Sequence, residues 1–595
     1  MKKAIKIVPV VLALSLLTGC RVENDLKKAS TDTEMVLTGN NQLAEINGNL
    51  PIKDNDSLYE DWDSTEVETM YLTVEKGNKS DNTDHTFEEI NSYSAEYYEK
   101  NNLEKYKVEG ILRVGDENGP VDGEFGYDDA VPNCTVNVRG QSSSRFAQKN
   151  YKISIMDGKG DWHGQKIINL NKHVSDGLRF KNMLCYNLMQ DIDTMHSART
   201  KFVHLYIKDN TADNKTDVYE DYGLYTYVEQ INKNYLKNHN LDNNGQLYKV
   251  NIFEFYRYND VIKLKSDLEY DKKAFEERLE IKGDSDHSKL IELLDELNND
   301  TIPIEKTFSK WFDEDNVFSW LAFHILVGNK DTQCRNVFLY SPKNVKKFYF
   351  ISWDNDGSFL DTQYALLERS EMNENSYEKG ISNYWGNILI KKVVKNDTYR
   401  QKLIDKVNEL KGILTEEKVM GLAKEYAAIV KPYLYRMPDV NYAKLTSNEF
   451  DKNLDALYSE LENNYNTFME NVNEPMPFFI GKPEATENGI NYSWQSAYTF
   501  NGELVSYDVE ISDDCSFDNI IYGTNNYSGT TYEGEKLEPG KYFIRIKAVN
   551  ESGKEAYAFD NYKSADKMLH RGMICYYVLD SGEVLTDEDY EEMGK

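Results

Sequence analysis

What the chain does without narrows its chemistry first. Cysteine is sparse: six among 595 residues, with Cys134, Cys185, Cys334, Cys515 and Cys575 scattered and no C-x-x-C pair. An odd, dispersed set suggests neither a disulfide framework nor a zinc site, and leaves small buried core residues as the reading. Neither G-x-x-x-x-G-K-[ST] nor G-x-G-x-x-G occurs, so P-loop and Rossmann phosphate sites fall away. H-E-x-x-H is absent, the nine histidines form no paired set at ligand spacing, and no G-x-S-x-G elbow presents a serine nucleophile. His204 and His324 read as packed or locally hydrogen-bonded residues. A basic excess is missing too. There are 69 Lys+Arg against 101 Asp+Glu, a net charge of −32, which argues against nucleic-acid binding and fits solubility or a basic partner. Beyond the first twenty residues no run has the apolar length to cross a membrane, and no internal repeat is evident.

What is present is a core-forming composition. Hydrophobic residues make up 40% and aromatics 12%, with 43 Tyr, too much apolar surface for a disordered chain. The first twenty residues have the layout of an export signal. Lys2, Lys3 and Lys6 precede the apolar run from Val8 to Leu17, and Leu17-Thr18-Gly19-Cys20 closes it. That ending resembles a bacterial lipobox, so Cys20 is expected to carry lipid and to tether an exported protein to the cell membrane. Residues 21–67 are polar and read as a flexible tether. Residues 68–474 combine early alternating strands, such as Cys134–Val138 and Tyr151–Ile155, with helical periodicity later, at Ser288–Leu297 and almost continuously over 397–470. Strands first and helices afterwards indicate an α+β fold. After Pro475-Met-Pro477 come short alternating strands with Trp494, Tyr507 and Leu537-Glu-Pro-Gly540. They resemble a fibronectin type III β-sandwich over 475–562, followed by an acidic tail, 563–595.

Three constellations carry chemistry. In Asn329-Lys-Asp331-Thr-Gln-Cys-Arg-Asn336 the Asp and Asn bracket four residues, as in a kinase catalytic loop. A β-hairpin follows and ends in Trp353-Asp354-Asn-Asp356-Gly357, placing a carboxylate at the mouth of a strand. Phosphoryl transfer uses such a set: Asp331 to orient an acceptor hydroxyl, with Asn336, Asp354 and Asp356 to hold a cation on phosphates. The bland reading is a structural Asx turn and an acidic, calcium-binding turn. An EF-hand fails on register, because Gln363 stands at position twelve of the loop, where a Glu is required. The second constellation is Arg139-Gly140-Gln-Ser142-Ser143-Ser144-Arg145-Phe-Ala-Gln-Lys149-Asn-Tyr-Lys152. A small-residue loop between strands there can approach phosphates through Ser142 and Ser143, with either Lys149 or Lys152 reaching them. A solvated surface hairpin is the alternative. Third, a strand from Asp221 runs into a short helix carrying Glu229, which could pair with the nucleotide lysine. Carboxylate-pair glycoside hydrolysis stays open at this level.

Taken together, Arg-Gly-x-Ser-Ser…Lys-x-x-Tyr-Lys, Tyr-Gly-Leu-Tyr-x-x-x-Glu-Gln, Gly-Asn-x-Asp…Asn…Leu-Tyr and Trp-Asp-x-Asp resemble, in order and spacing, the spore-coat CotH kinase family over residues 70–470. The resemblance implies an atypical, minimised protein-kinase-like fold. It also implies transfer of phosphate from ATP, with Mg²⁺ or Mn²⁺, to serines of a coat or envelope protein. It assigns Asp331 as the catalytic-loop carboxylate, Asp354 as the metal ligand, Asn336 as completing that set, Lys149 or Lys152 as the phosphate lysine and Glu229 as its partner. A surface binding or adhesion protein using the same fold without turnover is the second expectation.

Overall fold

The structure, a computed structural model, describes residues 34–36, 43–212, 217–367, 376–565 and 568–587. The export signal, Cys20 and the first half of the expected tether lie outside the described residues.

Seven strands close on themselves to form the N-terminal half. They are β1 (Val67–Glu75), β2 (Val108–Asp116), β3 (Cys134–Arg139), β4 (Asn150–Ile155), β5 (Ile167–Asn171), β6 (Thr200–Asp209) and β7 (Glu220–Glu229). Neighbours run β1-β2-β3-β4-β5-β7-β6, and β6 returns to β1. That last pairing is parallel, from Val67 opposite Phe202 to Val74 opposite Asp209, and all the others are antiparallel. Closure leaves no edge among these strands. The alternation read from sequence is the reason for it. Leu72, Leu112, Val136, Ile153, Ile168 and Leu205 all point inward and are fully buried, while Lys152 and Ser154 share the outward face of β4.

Helix α1 (Lys181–Met189) lies between β5 and β6, and α2 (Lys233–Asn238) follows β7. A second antiparallel sheet comes next, in the order β9 (Leu279–Ile281), β8 (Gln246–Val250), β10 (Val337–Ser341), β11 (Tyr349–Ser352). Against it packs α3 (Glu314–Leu326), buried on nearly every side, as an all-round apolar helix must be. The expected helical region consists of Asp397–Ile413, Glu416–Leu434, Ser447–Asp455 and Leu457–Asn471.

Two boundaries differ from the sequence reading. Residues 43–66, read as tether, form a strap fixed to the domain. Ile46 is fully buried, Leu50 N donates to Asp313 Oδ2 (2.8 Å), Tyr59 Oη to the Ser197 carbonyl (2.8 Å) and Trp62 Nε1 to the Thr200 carbonyl (2.9 Å). A few spaced apolar anchors suffice, although the average composition is polar. Beyond Pro477, a three-stranded and a six-stranded sheet share one core that includes Tyr492, Trp494, Tyr507, Ile544 and Tyr576. The stretch read as an acidic tail supplies a strand to it. Met573–Val578 pairs along Gly540–Arg545, because Met-Ile-Cys-Tyr-Tyr-Val is itself an apolar strand.

The whole is a mixed α/β domain with additional β-sheets at its C-terminal end. Cys134, Cys185 and Cys575 are buried, Cys334 and Cys515 are half-buried, and all five are free.

Candidate active site

Two loops meet at the mouth of the β10–β11 hairpin. The first is a short 3-10 turn, Lys330–Thr332, capped by Asn329, whose side chain accepts from Asp331 N. Thr332 Oγ1 ties the turn down through the Asn329 carbonyl (2.8 Å) and Tyr384 Oη (2.7 Å). Asp331 is left with 54% of its side-chain surface exposed. Asn336 Nδ2 donates to Asp331 Oδ2 at 2.9 Å, which leaves the amide oxygen of Asn336 uncommitted among the described residues. The second loop is Trp353–Gly357. Trp353 N donates to the Asn336 carbonyl (3.1 Å), Asp354 N to Tyr186 Oη (3.1 Å) and Asn355 N to Asn182 Oδ1 (2.8 Å). Helix α1 therefore fixes the turn that carries both carboxylates. Asn336 and Asp354 adopt left-handed backbone angles, φ 59° and 58°, an unfavourable state retained where surrounding contacts enforce it.

Gly357 allows the loops to touch. A Cβ there would stand 2.7 Å from Asn329 Oδ1 and 3.6 Å from Asp331 Cβ. Gly357→Ala is expected to push Asn329 off its cap and displace Asp331, lowering any Asp331-dependent turnover by roughly 10- to 100-fold. Steady-state rates beside an unchanged circular dichroism spectrum check this.

The electrostatics fit a cation. Asp356 is raised well above the ordinary carboxylate range, first by the Asp354 charge and then by burial. Burial raises Asp354 against the pull of Arg139 and Lys249. Asp331, half exposed, has Arg335 Nε 3.6 Å from its Oδ1. Two carboxylates whose charges oppose one another, with an uncommitted amide oxygen on the adjoining loop, are the kind of oxygen donors that a hard divalent ion takes.

Facing them is a basic group. Arg139 ends β3 and stacks over Trp353, with 5.9 Å to the ring centroid. Lys249 on β8 is lowered by burial, against the charges of Glu280 and Asp354. Lys152 is lowered by burial and by the Lys282, Arg139 and Lys107 charges. No sequence motif points to Lys249, whose only signal is alternation on β8, and Arg139 lies in the Arg-Gly-x-Ser-Ser motif, which by itself assigns it no role.

The other expected residues divide. Lys149 donates to the Ser144 carbonyl (2.7 Å) on its own loop, and only burial acts on its charge. Lys152 is thus the lysine turned toward the cationic group. Ser143 Oγ accepts from Asn150 Nδ2 (3.1 Å), and Ser142 is exposed. Glu229 does not pair with either lysine. It is fully buried, with Arg199 Nη2 at 2.8 Å, His239 Nε2 at 3.1 Å and Gln165 Nε2 at 2.9 Å. The reason is topological: β7 ends Glu229 beside Arg199 at the start of β6. His204 and His324 bond locally as expected, to Asp221 (2.8 Å) and Ser352 (3.0 Å).

A cleft of about 880 Å³ adjoins the first loop. Gln333, Cys334 and Arg335 form one wall, Trp385, Lys391 and Lys395 the floor, and Phe479 and Tyr498 from the C-terminal sheets the other wall.

The CotH kinase protein family matches residues 136–468, more than half the chain and the stretch holding Arg139, Lys152, Lys249, Asp331, Asn336, Asp354 and Asp356. No curated protein matches. Among solved structures, the chain is similar to the Helicobacter pylori proinflammatory kinase CtkA at 12% identity. That similarity covers 54% of this chain and 94% of that one, with a TM-score of 0.26. On the family match, the chain belongs to the CotH kinase protein family.

Proposed function

We propose that this protein is a lipid-anchored atypical Ser/Thr kinase that transfers the γ-phosphate of ATP to serines of a cell-envelope or spore-coat protein. The observation that carries the proposal is the Asp331–Asn336 hydrogen bond set beside the Asp354–Asp356 pair. Asp331 receives the acceptor hydroxyl on the carboxylate oxygen not engaged by Asn336 and draws its proton. Lys152, Lys249 and Arg139 hold the phosphates, Arg139 in the planar mode suited to them. Mg²⁺ or Mn²⁺, when bound by Asp354, Asp356 and Asn336, supplies neutralisation of phosphate charge. In this reading Cys20 carries the lipid, the C-terminal sheets are a fibronectin type III-like module, and the acceptor approaches through the cleft they share with the first loop.

A catalytically silent binding protein is the second reading. The same cleft, with its aromatic walls and lysines, is the observation that favours it. Nucleotide binding separates the two. A non-hydrolysable ATP analogue with Mn²⁺ is expected to raise the melting temperature by a few degrees, since occupancy at 100 times Kd adds about 2.7 kcal/mol. Lys249→Ala is expected to reduce the shift. No shift at millimolar analogue supports silent binding.

A further inference from the structure

The histidines show no ligand spacing in sequence, yet the fold gathers two of them around a carboxylate. Asp54 comes from the strap, His196 from the segment between α1 and β6, and His239 from the end of α2. One ligand atom from each lies within 4.8 Å of the others, the only such set of His, Cys, Asp and Glu among the described residues. Asp54 Oδ1 is 2.6 Å from His239 Nδ1 and 3.7 Å from His196 Nδ1. Ligand atoms on a tetrahedral ion with bonds of about 2.0–2.1 Å stand roughly 3.3 Å apart, so the two Asp54 separations need only sub-ångström shifts, and the fourth position falls to a solvent molecule.

Two further features point to a ligand. His196 is 1% exposed, and neither of its ring nitrogens completes a hydrogen bond. The polar neighbours that act on it are Asp54, His239 and the Ile52 backbone. A buried imidazole whose nearest polar groups, Asp54 at 3.7 Å and the Ile52 backbone, complete no well-formed bond with it is costly and needs an explanation that His239 does not, because a proton shared among Asp54, His239 and Glu229 accounts for His239 alone. Second, the remote nitrogen of His239 bonds Glu229 Oε2 at 3.1 Å, and Glu229 is itself held by Arg199 and Gln165. A carboxylate behind a ligating imidazole fixes its ring and tautomer in metal sites. Tyr235 stacks on the same ring, 3.8 Å between centroids, and Tyr59 Oη lies 3.0 Å from Asp54 Oδ2.

We propose that Asp54, His196 and His239 form a structural site for a borderline transition-metal ion, Zn²⁺ in the first instance, which fastens the N-terminal strap to the strand ring and to α2. Two imidazoles and one carboxylate suit zinc and not the all-oxygen preference of Mg²⁺ or Ca²⁺, so this site is chemically separate from Asp354 and Asp356. Asp54 keeps 16% of its side chain exposed and gives the ion its entry. Glu229 is a positioning residue.

The test uses the full chain, stripped with EDTA and titrated with ZnCl₂ alone. One equivalent is expected to bind with a Kd of about 1 µM or tighter, and the melting temperature is expected to rise by several degrees. CoCl₂ is expected to give a visible absorption band of tetrahedral type. His196→Phe, which keeps an aromatic ring and removes both ring nitrogens, is expected to lose the band and weaken zinc at least about 100-fold. Asp54→Asn, at a partly exposed position, tests the same point should His196→Phe misfold. Asp354→Asn is expected to bind zinc normally, so failure of the kinase reading leaves this result untouched. The proposal is overturned if the wild type takes up no stoichiometric zinc, which leaves a shared proton only, or if both variants bind it as the wild type does.

Discussion

Asp354→Asn is expected to reduce cation-dependent phosphoryl transfer by roughly 10³-fold, because it removes several kcal/mol of charge stabilisation at one step. Its second signature is thermodynamic. Both Asp354 and Asp356 are raised in the folded protein, so the native state binds more protons than the unfolded chain above the ordinary carboxylate range. Without a cation, stability from this pair is present at low pH and falls as pH rises through the raised values. A divalent ion takes the place of the proton, so the melting shift produced by Mn²⁺ grows from pH 5 to pH 8. In the variant, Asp356 loses the largest cause of its elevation and the shift should stay small across that range. Differential scanning calorimetry with and without Mn²⁺ at several pH values checks both statements.

Asp439→Ala is expected to lower stability by about 3–5 kcal/mol, the range for stranding a buried charge. Lys172 Nζ stands 2.6 Å from Asp439 Oδ1, with side chains 3% and 7% exposed. It also donates to the Tyr222 carbonyl at 2.7 Å and lies 4.2 Å from the centre of the Tyr225 ring. Asp439 further accepts from Gln148 Nε2 (2.6 Å) and Leu224 N (3.0 Å). It follows the long helix Glu416–Leu434, so one carboxylate joins the helical region to three places on the strand ring. Burial already lowers Lys172 to about 8 despite Asp439. The variant's lysine should titrate lower still, and urea unfolding is expected to show a reduced midpoint with an unchanged slope. Replacing the pair together, with Lys172→Met added, is expected to recover part of the loss.

These sites also show how far sequence reasoning reaches. The Asp331–Asn336 interval, the hairpin and the Asp354 turn are contiguous in the chain, and local rules of alternation and turn chemistry place them correctly. The outward face of β4 follows from the same alternation. Contacts made by distant segments are not legible. Lys249 comes under the Asp354 charge because β8 lies beside β10, and the parallel β1–β6 pairing that closes the ring joins strands separated in the chain by four others. Glu229 illustrates the error this produces. Its motif is visible, but its partners Arg199 and His239 are fixed by strand register and by the end of α2, neither of which spacing reveals. The histidine set fails in sequence for the same reason, since its three ligands come from three separate segments. The strap and the final strand are misread differently: average polarity conceals a few anchoring aromatics.

The central claim is that Asp331 and the Asp354–Asp356 pair serve transfer of phosphate. The most direct measurement is incorporation of label from γ-labelled ATP, with Mn²⁺ or Mg²⁺, into a serine-rich acceptor by wild type and Asp331→Asn side by side. That substitution keeps the shape of the side chain and a hydrogen-bonding partner for Asn336 while removing the charge. The account expects label on serine with the wild type and a loss of at least about 10²-fold with the variant. Equal incorporation by the two proteins, including none by either, would contradict it.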